Sequence, residues 1–198
     1  MFSVRFHGRG GQGVVTATEL LALAAFREGR HAQAFPRFGS ERMGAPVQAF
    51  CRIDDKPIRT REPVTEPDAL IIQDYTLLHL PGTFDGLTQA TYVLINSIRR
   101  ISDLDLAGLA DGVPAGRIAV VPASLLAQAE LGRPLPGAAM LGAFAALTAD
   151  AGVIGLESVL AAIAERFTEH PRVADGNAAA ACAAFSLVRD ELREISGA

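Results

Sequence analysis

Residues 8 to 13 read Gly8-Arg9-Gly10-Gly11-Gln12-Gly13, directly after the strand-like run Ser3 to His7 and directly before a long apolar stretch that starts at Val14. A chain with that punctuation folds as strand, tight turn and helix, because glycine takes positive φ and lets the main chain approach a neighbour or ligand closely. A helix starting near Gln12 leaves its first N–H groups unpaired and facing the turn. Those donors and the helix dipole favour an anion there. The spacing of Gly8, Gly10 and Gly13 also satisfies the dinucleotide pattern G-x-G-x-x-G, which by itself is a weak signal. Context decides what the loop holds.

Composition narrows the class. With 198 residues, 49% hydrophobic and 20% charged, the chain carries enough apolar material for one core, so a single domain over 1–198 is expected. The apolar runs are too short to cross a bilayer and the N-terminus lacks a basic-then-apolar pattern, so a cytoplasmic protein without membrane contact is expected. Cys51 and Cys182 lie far apart, with no C-x-x-C and no ligand-spaced histidines, so neither a metal nor an iron–sulfur site is expected on this chain. Both cysteines read as small buried hydrophobes. Charge is uneven: residues 1–61 carry ten Lys and Arg against five Asp and Glu, and the rest eight against seventeen. The basic part is the part with the glycine loop, and Arg9, Arg37 and Arg42 stand there in turn-rich segments where side chains converge on an anion. A net charge of −4 gives no support for nucleic-acid binding.

Periodicity supplies the elements. Val14 to Arg27 is a helix of good formers, apolar around most of its circumference and closed by Gly29. His31 to Phe35 reads as a second strand, which completes a βαβ unit. Pro36 to Pro46 is a loop unusually rich in functional side chains. Val47 to Ile53 alternates as a strand, Asp54-Asp55 turns, and Pro57 to Arg61 is expected to return as its hairpin partner. Ala69 to Ile72, Tyr92 to Ile95 and Arg117 to Val121 are short buried strands. Helices are expected over Ser124–Leu131, Ala138–Ala151, Leu156–Phe167 and Asn177–Ile195, punctuated by Gly132, Pro134, Gly152 and Pro171. The fold class is α/β: a Rossmann-like, mostly parallel sheet with a β-hairpin excursion and a helical C-terminal third.

Single residues are weighed against their ordinary roles. His7 reads as a structural histidine, Glu41 as a solvated charge beside Arg42, and Asp74 as the cap of a turn. Asn96 and Ser97 stand equally well in a turn or in the crevice at the carboxyl end of the sheet. No Ser/His/Asp or Cys/His grouping offers a nucleophile with its base, so no catalytic residue is expected. A dinucleotide-binding unit places an acidic residue at the end of its second strand; here Phe35-Pro36-Arg37 ends it, and an arginine suits a phosphorylated ribose better than a free diol.

With these segments in view, the chain resembles the gamma subunits of the 2-oxoacid:acceptor oxidoreductases, the pyruvate:ferredoxin oxidoreductase family. The resemblance runs nearly end to end. It is carried by R-F-H-G-R-G-G-Q-G-V-V-T-A at 5–17 and A-Q-A-F-P-R-F-G-S-E-R-M-G-A-P-V at 32–47, supported by R-I-D-D-K-P-I-R at 52–59 and A-M-L-G-A-F at 139–144. Where family members commonly have arginine, this chain has Met43. The resemblance implies a subunit, inactive in isolation, of a complex that oxidatively decarboxylates a 2-oxoacid to an acyl-CoA. Thiamine diphosphate is then held by alpha and beta subunits, and 4Fe–4S clusters by the beta and a ferredoxin-like subunit. It further implies that this chain helps to hold coenzyme A and closes over the active site, with Gly10, Gly11 and Arg42 as contacts; Arg9, Gln12, Gly13 and Arg37 extend that set.

Two other readings stay open. One keeps the fold and gives the glycine loop a purely architectural role in assembly. The other is a stand-alone NADP-binding reductase, argued from the glycine pattern and Arg37. Neither the 2-oxoacid (pyruvate, 2-oxoglutarate, branched-chain, aryl or indole) nor the electron acceptor is readable from these residues, and a flavin subunit passing electrons to NAD would leave no trace in them.

Overall fold

The computed structural model describes residues 1–37, 43–104, 106 and 112–197. Six strands, β1 (Phe2–Arg9), β2 (His31–Arg37), β3 (Pro46–Asp54), β4 (Ala69–Ile72), β5 (Tyr92–Asn96) and β6 (Ile118–Val121), form one sheet in the order β2-β3-β1-β4-β5-β6. β1, β4, β5 and β6 are mutually parallel, and β3 runs antiparallel to both β1 and β2. β4 and β5 are short and apolar on consecutive residues because both their faces are buried. β1 alternates, with Val4 and Phe6 facing one way and Ser3, Arg5 and His7 the other.

The expected βαβ unit is present with a strand inserted between its two strands, and the hairpin is made by β2 and β3 instead of by β3 and Pro57–Arg61. β3 pairs with β2, Arg37 opposite Gln48 and His31 opposite Asp54, and it lies between β2 and β1. Pro57–Arg61, expected to return beside β3, has no strand structure. The reason is that β1 and β2 already occupy both edges of β3, so a further strand has nowhere to bond. Pro57 also lacks a ladder donor.

The helices are α1 (Val14–Arg27), α2 (Ala123–Leu131), α3 (Gly137–Leu147), α4 (Leu156–Arg166) and α5 (Pro171–Gly197). They cover one face of the sheet, where Val4, Phe6, Cys51, Ile71, Leu94 and Val121 join their apolar sides in one core. On the opposite face Leu70, Ile72, Val93 and Ile95 pack under irregular chain carrying Leu77, Leu78, Leu104, Leu106 and Val113. α1 ends where Arg30 N–H donates to Ala25 O (3.1 Å) and Gly29 N–H to Phe26 O (3.0 Å). Glu28, the C-cap residue of α1, reaches across to cap α4, accepting from Gly155 N–H and the Ser158 hydroxyl at 2.7 Å each.

α5 begins six residues before its expected start. Pro171 starts the helix instead of breaking it, since a first-turn residue needs no N–H partner. α3 is buried along its length and is crossed by α5 so closely that a Cβ on Gly142 would stand 2.0 Å from Ala181 O. Among the described residues no helix is long and apolar enough to cross a membrane.

That contact gives a test. Gly142→Ala should cost at least about 1–3 kcal/mol by forcing α3 and α5 apart. Gly116→Ala, where a Cβ meets nothing within 4 Å, should leave thermal unfolding unchanged.

Candidate functional site

The glycine loop lies where β1 passes into α1. β1 runs further than the sequence suggests, through Gly8 to Arg9, and the ladder continues past it: Gly10 N–H donates to Ala45 O (2.9 Å) and Gly44 N–H to Gly10 O (3.0 Å). A Cβ at Gly8 would meet Val14 Cγ2 at 2.5 Å, so the first turn of α1 rests directly on the strand. Gly13 then takes φ 73°, a left-handed conformation that glycine adopts without strain, and becomes the N-cap of α1. No side chain caps this helix, and the first intrahelical bond is Ala17 N–H to Gly13 O. Among the described residues, the N–H groups of Gly11, Gly13, Val14, Val15 and Thr16 are left without a protein partner.

These donors border an open cleft of about 550 Å³ lined by Arg9, Gly10, Gly11, Gly13, Val14, Val15, Thr16, Met43 and Val47. Among the described residues the lining contains no carboxylate, imidazole or thiol. A second, more apolar hollow of about 260 Å³ adjoins it around the same helical turn, sharing Gly13 and Thr16 and bringing in Arg133 and Asn177. Met43, 87% exposed, lays its thioether beside Gly11.

The polar side chains of the loop face inward to the protein rather than outward to a ligand. Gln12 accepts from Arg9 N–H (2.8 Å) and donates to Asp74 Oδ2 (2.7 Å). Arg9 donates to Thr76 Oγ1 (2.7 and 3.1 Å) and Gly44 O (3.0 Å), with its Nε 3.3 Å from Asp74 Oδ2. Asp74 also accepts from Thr76 N–H at 3.0 Å, capping the turn after β4 as expected. Burial alone would raise the Asp74 carboxyl; hydrogen bonds from Thr76 and Gln12 and the charge of Arg9 outweigh it and hold the group below the ordinary carboxylate range.

Of the residues singled out in the sequence, Gly11 and Gly13 turn free donors to the cleft. Gly10 lines it with its N–H already bonded, while Arg9 and Gln12 brace the loop. Arg37 is not brought to the cleft: it lies on the other sheet face, donating to Gln48 Oε1 at 3.1 Å. The cause is β3, which separates β2 from β1 by two strand spacings, about 10 Å. The NADP reading loses the contact that suggested it. Arg42 and Glu41 lie outside the described residues. Asn96 ties β5 to α2, donating to Gln73 O and Ser124 Oγ and accepting from Ser124 N–H. The unpaired N–H groups expected at the start of the helix are those of Val14, Val15 and Thr16, residues that no side-chain pattern singles out.

A family model described as pyruvate ferredoxin/flavodoxin oxidoreductase matches residues 3–187. The chain belongs to this family. It is 42% identical to the pyruvate synthase subunit PorC of Methanothermobacter marburgensis, over 96% of this chain and 98% of that one. It is 45% identical to the pyruvate/ketoisovalerate oxidoreductases common subunit gamma of Thermococcus kodakarensis, over 94% of this chain and 96% of that one. Among solved structures, the pyruvate oxidoreductase subunit PORC of Thermotoga maritima superposes with a TM-score of 0.76 at 34% identity, covering 93% of this chain and 95% of that one. A 2-oxoglutarate:ferredoxin oxidoreductase from Magnetococcus marinus shares the fold, with a TM-score of 0.71 at 15% identity, over 96% of this chain and 31% of that one.

In this member of the family the glycine loop depends on one carboxylate. Asp74→Ala should lower stability by about 1–3 kcal/mol at pH 7, because Arg9 and Gln12 lose their common acceptor. Since the folded chain lowers this carboxyl, its contribution is complete above pH 3.8 and disappears as pH falls through the lower folded value. Urea midpoints of the two proteins should therefore converge in acid.

Proposed function

We propose that this chain is the gamma subunit of a thiamine diphosphate-dependent 2-oxoacid oxidoreductase and that its glycine cleft holds coenzyme A against the active site of partner chains. The observation that carries this reading is the cleft itself: among the described residues, five unpaired N–H donors at and just before a helix N-terminus, beside apolar walls. Such a site binds a phosphorylated ligand and leaves the chemistry to others. The adjoining hollow with Arg133 gives an extended molecule, phosphates at one end and a flexible apolar arm at the other, room on both sides of the α1 turn.

Relatives named as subunits of pyruvate oxidoreductases support a place among partner chains. Thiamine diphosphate and iron–sulfur clusters belong to alpha, beta and ferredoxin-like subunits of a cytoplasmic complex, and this chain contributes binding and closure. One relative is named as a gamma subunit common to pyruvate and ketoisovalerate enzymes, which supports assigning the choice of 2-oxoacid to other chains.

Replacement within the donor set tests the assignment. In the assembled complex, Gly13→Ala strains the left-handed N-cap while its Cβ meets nothing within 4 Å. It should raise the KM for coenzyme A about tenfold with little change in the KM for the 2-oxoacid. Arg42→Ala should act in the same direction. Unchanged coenzyme A constants in both variants would return the loop to a purely architectural role.

A further inference from the structure

The sheet face opposite the helices carries, over β1, β2 and β3, a group of cations that the glycine cleft does not use. Register places His7, Gln48 and Arg37 in one row across the three strands and Arg5, Phe50 and Phe35 in the next, with Arg52 beyond. Arg5, Arg37 and Arg52 have no ion pair with a carboxylate among the described residues. Arg5 donates to the carbonyls of Val64, Thr65, Thr83 and Asp85, Arg52 to Glu62 O, and Arg37 to Gln48 Oε1. Neutral acceptors satisfy these donors, while Asp85 and Glu62 act on Arg5 and Arg52 through charge without forming an ion pair with either.

Two hollows of about 320 and 270 Å³ open over this face and share Arg37, Gln48 and Pro81. His7 lines the first. It is 5% exposed, and its Nε2 has no hydrogen-bond partner. A buried ring nitrogen without a partner, in a hollow edged by an exposed guanidinium and an amide, has an unmet hydrogen bond that an anion's oxygen fills when that nitrogen carries a proton.

We propose that this groove is an anion site, taking one phosphate or carboxylate group between the Arg37 guanidinium, the Gln48 amide and His7 Nε2, with the charge of Arg5 behind them. The site is independent of the coenzyme A reading of the glycine cleft. Binding is linked to a proton. Burial, and then the charge of Arg5, push the His7 pKa down to about 4, so the ring is neutral at pH 7. Its other charged neighbour across the sheet is Arg37; β3 and β4 present Gln48 and Ile72, and the covering segment brings Asp85 beside Arg5 into the second hollow, not the one that His7 lines. An anion beside Nε2 opposes both lowering effects. The bound state therefore holds the ring proton to higher pH, and affinity rises as pH falls through the raised pKa of the complex toward about 4.

The full chain has four histidines, so His7→Gln identifies the His7 ring signal in an NMR spectrum. Titration with inorganic phosphate should move that signal saturably and raise its pKa by at least about one unit. Arg37→Ala, at the exposed end of β2, should weaken phosphate binding about tenfold or more, whereas Arg189→Ala on α5 should not. A non-saturating shift, or equal affinity in Arg37→Ala with an unchanged unfolding temperature, overturns the proposal. Coenzyme A and its 3′-dephospho form identify the source of the anion. A His7 shift with the first alone assigns the site to a ribose phosphate, and a shift with inorganic phosphate but neither coenzyme assigns it to a separate anion. Phosphate binding here with no coenzyme A effect in Gly13→Ala would sink only the earlier reading.

Discussion

The seating of β3 between β1 and β2 is the constraint on which the rest of the molecule depends. A parallel sheet leaves the turn after its first strand held only at its two ends. Here the antiparallel partner continues beyond the strand, so Gly10 is bonded in both directions to Gly44 and Ala45. The loop enters α1 with its geometry set by a ladder on one side and by Asp74, Gln12 and Arg9 on the other. Rigidity there keeps the unpaired donors of the first helical turn aimed outward, where a looser loop would fold back and pair them.

β1 reconciles two environments within one strand. Val4, Phe6 and Gly8 face the helices, while Ser3, Arg5 and His7 face the opposite side, where the covering chain is irregular. The strand reads as incompletely hydrophobic for this reason. Arg5 is buried against carbonyls rather than exposed to water, an arrangement that requires cover without regular structure, since helices and strands leave few carbonyls free to receive a guanidinium.

What was legible in the sequence was local. The boundaries of α1, the three short strands β4 to β6 and the Rossmann-like plan with a helical last third follow from apolar period and from caps within a few residues of each other. What was not legible depends on partners far along the chain. The return strand was sought at Pro57 because a two-residue turn precedes it, yet β3 found its partners in segments already formed on either side. The bracing of Arg9 and Gln12 by Asp74 is not legible locally, because that acceptor stands more than sixty residues away. Arg37 followed from adjacency of first and second strands, an assumption that one inserted strand cancels. The start of α5 was obscured by a proline and a glycine, Gly176, whose place inside the helix is explained by the close approach of Glu130 O.

The crossing of α3 and α5 bears on how the chain acquires its structure. α3 is apolar on all sides, and α5 comes last in the sequence, spanning 27 residues or roughly 40 Å. While the chain emerges from the ribosome in order, the central helix has no cover for its outer side until the final segment arrives. Closure of the core is therefore a late, long-range event rather than a product of neighbouring elements. Until then the nascent chain exposes a greasy helix to its surroundings, which makes it a natural client for the holding activity of chaperones.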